Sequence, residues 1–207
     1  MYEIFARVQA FLERKDVPYT FVKMGPAEEG AFTAAKKKIG LPIPRSIEDF
    51  YLRFADGVML HWQKGEDDGV CSIPNLEELQ KGYRSWQKLV LWMDDYKFPS
   101  VEDAKLAKQI YQRMKLWLPF QIEGEADCFC IDCDSPEGAV VYHQHDWYDG
   151  GSGENGHVLA SSLGAFLQSW GRVCFASPAN LYWPSAFARK GVNWTSRYFP
   201  KAYIIKD

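Results

Sequence analysis

From Leu116 onward the apolar residues stop recurring three and four positions apart. They fall instead into four short runs, "LWLPFQI", "DCFCID", "AVVYHQH" and "HVLA", separated by polar or glycine-rich stretches. Runs of this length, rich in β-branched and aromatic residues and closed by turn formers, read as strands. Helical spacing lies on both sides of this block, and no linker separates the two kinds of pattern. The order predicts an α+β fold with a central, mostly antiparallel sheet flanked by helices.

The helical readings rest on period and caps. Ile4, Phe5, Val8, Phe11 and Leu12 share one face of a first helix, which ends before Pro18. Pro26 suits the first position of a second helix that runs through "AEEGAFTAAKKKIG". Its acids sit at the positive end of the helix dipole, its lysines at the negative end, and Gly40 closes it. Ser46-x-x-Asp49, Asn75-x-x-Glu78 and Ser100-x-x-Asp103 have capping-box spacing, and each precedes an apolar stripe. "VMLHWQ" and "GVCSIP" flank "KGEDD" as a hairpin. "SSLGAFLQSW" reads as a closing helix capped by Ser, burying Leu163, Phe166, Leu167 and Trp170. The chain after Trp170 is aromatic and basic, with short elements.

Charge is segregated behind a net charge of −3. Residues 116–171 carry nine acids and no Lys or Arg, whereas residues 172–207 carry six bases and one acid. Either the basic tail folds over the acidic segment, or the segment presents an acidic face to a basic partner. No apolar run approaches the roughly 18 residues that span a bilayer. The N-terminus has charges threaded through it, unlike a signal peptide. Five cysteines in a chain of this size predict free thiols in a reducing, cytoplasmic setting.

The densest chemistry lies between Cys128 and His145. Cys130-x-x-Cys133 has the spacing of half a zinc site, and His143-x-His145 could supply the other half. Against this, Cys128 and Cys130 alternate with Phe129 and Ile131, as small and large side chains do on a buried strand. "CIDC" leads into the turn "DSPEG" and not into a helix, which argues against a thioredoxin-like site. We expect no metal and no cofactor. Gly151-x-Gly153-x-x-Gly156 has the glycine spacing of a nucleotide loop. Its acidic surroundings and the strand that follows make it a plain glycine-rich loop. His143, Asp146 and Ser152 can be drawn as a triad, but no nucleophile elbow accompanies them. His61, on a strand, reads as a packed histidine. We expect no catalytic residues, and no aromatic RNA-binding signature suggests direct nucleic-acid binding.

The ordered segments resemble the SUKH superfamily, which includes a fungal cell-wall-synthesis regulator and many bacterial immunity proteins. "AEEGAFTAAKKKIGLPIPRSIEDFYLRFADG" is similar to the family's opening, and "SIPNLEEL" to its next strand-to-helix junction. "WLPFQIEGEADCFCIDCDSPEGAVVYHQHD" resembles its central hairpin, and "LASSLGAFLQSW" its closing helix. Ala126-Asp127 replaces the family's frequent Gly-Asp. The resemblance covers roughly residues 25–170; because helices bracket the strands with no linker, we expect a single SUKH-like domain over residues 1–207, with a helical insert at about 81–115 and an extra tail at 172–207.

The resemblance also implies a non-enzymatic, protein-binding role. One form is an immunity protein that neutralises a cognate toxin domain, for instance a nuclease. The alternative is a regulatory or scaffolding adaptor related to cell-wall synthesis. A less favoured third is a metal-dependent enzyme using the Cys/His cluster. For the first, a basic toxin groove would meet the acidic segment. The expected partner-binding residues are Glu123, Glu125, Asp132, Asp134, Asp146, Trp147, Tyr148, Asp149 and Glu154. Trp147 and Tyr148 would be anchors, or would pack on the sheet.

Overall fold

The computed structural model describes residues 3–95, 101–123, 127–144, 155–178, 187–188, 191–192 and 198–206. The chain opens with α1 (Glu3–Arg14) and β1 (Tyr19–Lys23), then α2 (Glu29–Ile39) and α3 (Arg45–Arg53). A hairpin of β2 (Val58–Lys64) and β3 (Asp67–Ile73) leads into α4 (Leu76–Asp95) and α5 (Val101–Met114). Then come β4 (Trp117–Glu123), β5 (Asp127–Asp132), β6 (Ala139–His143), β7 (Val158–Ala160) and α6 (Leu163–Gly171). The tail adds β8 (Phe187–Ala188), β9 (Gly191–Val192) and a 3-10 turn at Lys201–Tyr203. The α+β class is as the sequence implies. The strands form two antiparallel sheets, ordered β1-β2-β3 and β4-β5-β6-β7, plus the small β8-β9 pair.

Gln121 joins the two larger sheets. Its Oε1 accepts from the Ser72 N–H at 2.9 Å, and its Nε2 donates to the Val70 carbonyl at 3.1 Å. A side-chain amide thus takes the place of a ladder peptide on the outer edge of β3. Beside it, the Val70 N–H donates to the Phe175 carbonyl, and Gly69 bridges Ala176. The Trp62 indole lies across Gly69 and donates to the Cys174 carbonyl at 2.7 Å. A Cβ at position 69 would come within 2.3 Å of that indole nitrogen, so the close approach requires glycine.

The four-stranded sheet is covered on both faces. Phe129 faces α6, with its ring 4.9 Å from Phe166 and 5.3 Å from Trp170. On the opposite face Trp86 of α4 meets His143 edge-on at 4.7 Å and stacks near Trp117. The three-stranded sheet differs. Val58, Leu60 and Trp62 point inward, while Met59 and His61 alternate outward. His61 is therefore exposed and not packed, because its register on β2 opposes that of the large apolar residues.

Several local readings need correction. α2 starts at Glu29, not Pro26; Pro26 lies in the approach, where the Ala27 N–H donates to the Tyr51 carbonyl. α3 starts at Arg45 with Pro44 before it, so Ser46 lies inside the helix and caps nothing. Its hydroxyl donates to the Glu137 carbonyl, and Asp49 pairs with Arg53. The hairpin turn is only Gly65-Glu66, with Gly65 at φ 65° in the first turn position. β1 has no counterpart in the sequence reading. The other caps hold where described. Asn75 and Glu78 exchange both capping-box bonds, and Ser162 accepts from the Ala165 N–H. Ser100 lies outside the described residues.

Candidate partner-binding surface

The acidic positions among the described residues divide between the two ends of the four-stranded sheet. Glu123 pairs in register with Asp127, and Cys128 with His143. The β4–β5 connection and the chain leaving β6 therefore depart from one end. Asp132 pairs with Ala139 at the other end, where Asp134 lies in the β5–β6 turn. Five residue steps along β5 separate Asp127 from Asp132, about 17 Å at ~3.3 Å per step. Glu123 is placed by the β4 backbone. Glu125, Asp146, Trp147, Tyr148, Asp149 and Glu154 lie outside the described residues, as do Ser152 and His145.

The β5–β6 turn is built on its own side chains. The Asp134 N–H donates to Asp132 Oδ1 at 3.1 Å, and the Ala139 N–H donates to the Ser135 hydroxyl. This leaves the Asp134 and Glu137 side chains exposed. Asp132 is different. Its carboxylate is 17% exposed and lies 3.9 Å from Arg113 of α5. Burial raises its pKa from the ordinary carboxylate value, more than the Asp134 N–H and Arg113 lower it. Asp127, at the opposite end of β5, accepts from the Tyr142 hydroxyl.

The Cys/His cluster is interior. Cys71, Cys128, Cys130, Cys133 and Cys174 are all buried, and none is in a disulfide. Cys128 and Cys130 share the sheet face under α4, with their sulfurs 3.5 Å apart. Burial pushes the Cys130 thiol well up, with Cys128 adding to the effect. Burial also pushes Cys133 up to about 12, with the Asp132 charge contributing. His143 is buried, with Nδ1 3.4 Å from Asn155 Oδ1. Among the described residues no three His, Cys, Asp or Glu side chains converge on a metal-sized centre. No described helix is long and apolar enough to cross a membrane.

The profile of the SMI1/KNR4 family (SUKH-1) matches residues 26–169. The chain belongs to this family. Comparisons with curated proteins and with solved structures find no match. The SUKH-1 match starts just before α2 and stops within α6, yet elements beyond it complete the core. Phe5 of α1 stacks on Phe175 at 5.2 Å, and Tyr203 lies 4.2 Å from Trp62. Val173, Cys174, Phe175 and Ala176 are fully buried. SUKH-1 membership carries a general expectation of protein binding, not of a particular partner.

Two features escaped the sequence reading. Apolar grooves of about 380 and 410 Å³ run along the two sides of α4, and both are lined by Trp86. Leu91 and Trp92 stand exposed near the C-terminal end of the same helix. Their signal was available: they lie off the buried stripe of Leu76, Leu79, Tyr83, Trp86 and Val90. The second feature is the outer face of the three-stranded sheet, where Val22 is 49% and Met59 39% exposed and the two are register partners.

Proposed function

We propose that this SUKH-1 protein is a non-catalytic binding module. In this reading it is a cytoplasmic immunity protein that binds and neutralises a cognate bacterial toxin domain with a basic surface. The supporting observation is the separation of chemistry from charge. The five thiols and His143, the residue types an enzyme or metal site would use, are buried, with Cys128, Cys130 and His143 on the sheet face that Trp86 of α4 covers. Of the acids of the 116–171 segment within the described residues, Glu123, Asp127 and Asp132 end strands, and Asp134 and Glu137 stand exposed in the β5–β6 turn. A field of that sign accelerates encounter with a cationic groove without any reaction on this chain. We take residues 1–207 as one domain, a reading favoured by the tail's contacts with Trp62 and α1.

Charge reversal tests the proposal, with the toxin encoded beside the gene as partner. One variant carries Glu123, Glu125, Asp146, Asp149 and Glu154 as Lys; a second carries Asp132 and Asp134 as Lys. Slower association and a flatter salt dependence are expected, most strongly for the first variant. Unchanged association at low salt, with the fold intact, would remove the acids from the interface. Trp147→Ala and Tyr148→Ala should speed dissociation if these side chains are anchors. No toxin binding, with specific binding to a cell-wall-synthesis regulator, would favour the adaptor role.

A further inference from the structure

The groove of about 380 Å³ between α4 and β4 ends on a thiol. Leu79, Trp86 and Leu89 form one wall, Pro119 and Phe120 the other, and Cys128 lies at the base. Gly82 opens the α4 side. It sits in mid-helix, where glycine is disfavoured relative to Ala, yet a Cβ there would meet nothing within 4 Å. Internal packing therefore gives no reason for glycine at this position, and its effect is to keep the groove wide. Immediately behind Cys128, Cys130 presents a second sulfur at 3.5 Å on the same strand face.

The spacing decides what can join the two sulfurs. A disulfide would have to close them to about 2.05 Å, between Cα atoms roughly 6.6 Å apart at the far edge of the usual range. A bridging atom with two bonds to sulfur spans the existing gap with little movement; two thiolates on one tetrahedral ion lie about 3.8 Å apart. Charge narrows the choice further. Binding a monovalent soft cation through two thiolates leaves a net negative charge in an apolar site. A divalent ion on two thiolates is neutral but lacks the further ligands of a tetrahedral site, since no three His, Cys, Asp or Glu converge among the described residues, whereas a trivalent organic arsenical is neutral and makes its third bond to its own carbon. We propose that Cys128 and Cys130 form a dithiol site for organic trivalent arsenicals, with the organic substituent seated in the α4–β4 groove. The hydrated arsenical RAs(OH)2 exchanges both hydroxyls for the two sulfurs. Two As–O bonds and two S–H bonds break, two As–S bonds form, and two waters leave with no change of oxidation state. The raised thiol pKa of Cys130 is compatible with this, because each departing hydroxyl takes up a thiol proton. This site goes beyond the partner-binding role and does not rest on it.

The probe is phenylarsine oxide added to the folded full-length chain, read by native mass and by thiol count. One adduct per chain and loss of two of the five thiols are expected. A small dithiol should reverse the adduct and a monothiol should not. Cys128→Ala and Cys130→Ala should each abolish the stable adduct, whereas Cys71→Ala and Cys174→Ala retain it. Gly82→Phe fills the groove and should slow adduct formation with the fold unchanged. The proposal is overturned if the folded chain gives no adduct, if the adduct survives Cys128→Ala or Cys130→Ala, or if it forms only in denaturant. Loss in Cys133→Ala with retention in Cys130→Ala would likewise overturn the pairing. An unchanged rate in Gly82→Phe would remove the groove from the site.

Discussion

The two sheets solve the same burial problem differently. β2 alternates buried Val58, Leu60 and Trp62 with exposed Met59, His61 and Gln63, so the first sheet keeps one face open. β5 buries Cys128, Phe129, Cys130 and Ile131 in succession, because α4 covers one face and α6 the other. A strand with reactive side chains thus lies in the better-sealed sheet. Cysteine serves there as a small apolar residue that fits beneath Trp86 while Phe129 fills the other side. The contrast teaches that residue chemistry alone does not locate a site; the number of covered faces decides what a side chain can reach.

The largest expected effect comes from the sealed sheet. Phe129→Ala should cost about 3–5 kcal/mol, measured by urea unfolding. Its ring is fully buried and touches Phe120, Tyr142, Phe166 and Trp170. Val22→Ser on the open face should change stability by only about 0.5 kcal/mol. Equal losses at the two positions would erase the distinction between the sheets.

Gln121→Leu sharpens the comparison by acting between the sheets. It strands the Ser72 N–H and the Val70 carbonyl, and a loss of about 1–3 kcal/mol is expected. A neutral effect would mean that Gln121 does not couple them. Asn75→Ala removes the capping bond to the Glu78 N–H and should cost about 1 kcal/mol, read in the same unfolding assay.

Much of this architecture was legible from pattern. The β5 and β6 runs, the α1 stripe and the Asn75–Glu78 box each carry a local signal that tertiary packing reinforces. What was missed depended on distant partners. Ser46 has capping-box spacing, but its hydroxyl is engaged by the Glu137 carbonyl, 91 residues away. β1 is short and half-exposed, and only pairing with β2 defines it. The acids were legible as a charged segment. Their division between two ends of a sheet was not, because register and strand direction are set by pairing. The α4 grooves were hidden for the same reason: each needs a second wall from β4 or α5.

The smallest expected effect is electrostatic. Asp132 has a raised folded-state pKa, so folding favours its protonated form. Its stabilising contribution is present below the unfolded value of about 3.9 and is lost as pH rises through the folded value. Asp132→Asn should remove that component from an acid-to-neutral stability profile. A steeper pH dependence in the variant would contradict the assigned cause.

The central claim is that the Cys/His strands are core covered on both faces, opened only by the α4–β4 groove at Cys128, and that contact with protein partners belongs elsewhere. Native-state hydrogen exchange followed residue by residue tests it most directly. Amides of Cys128–Asp132 are expected to exchange only through global unfolding, while those of Tyr19–Lys23 exchange through smaller openings. Exchange of the β5 amides by local opening, as fast as in β1 or faster, would contradict the account.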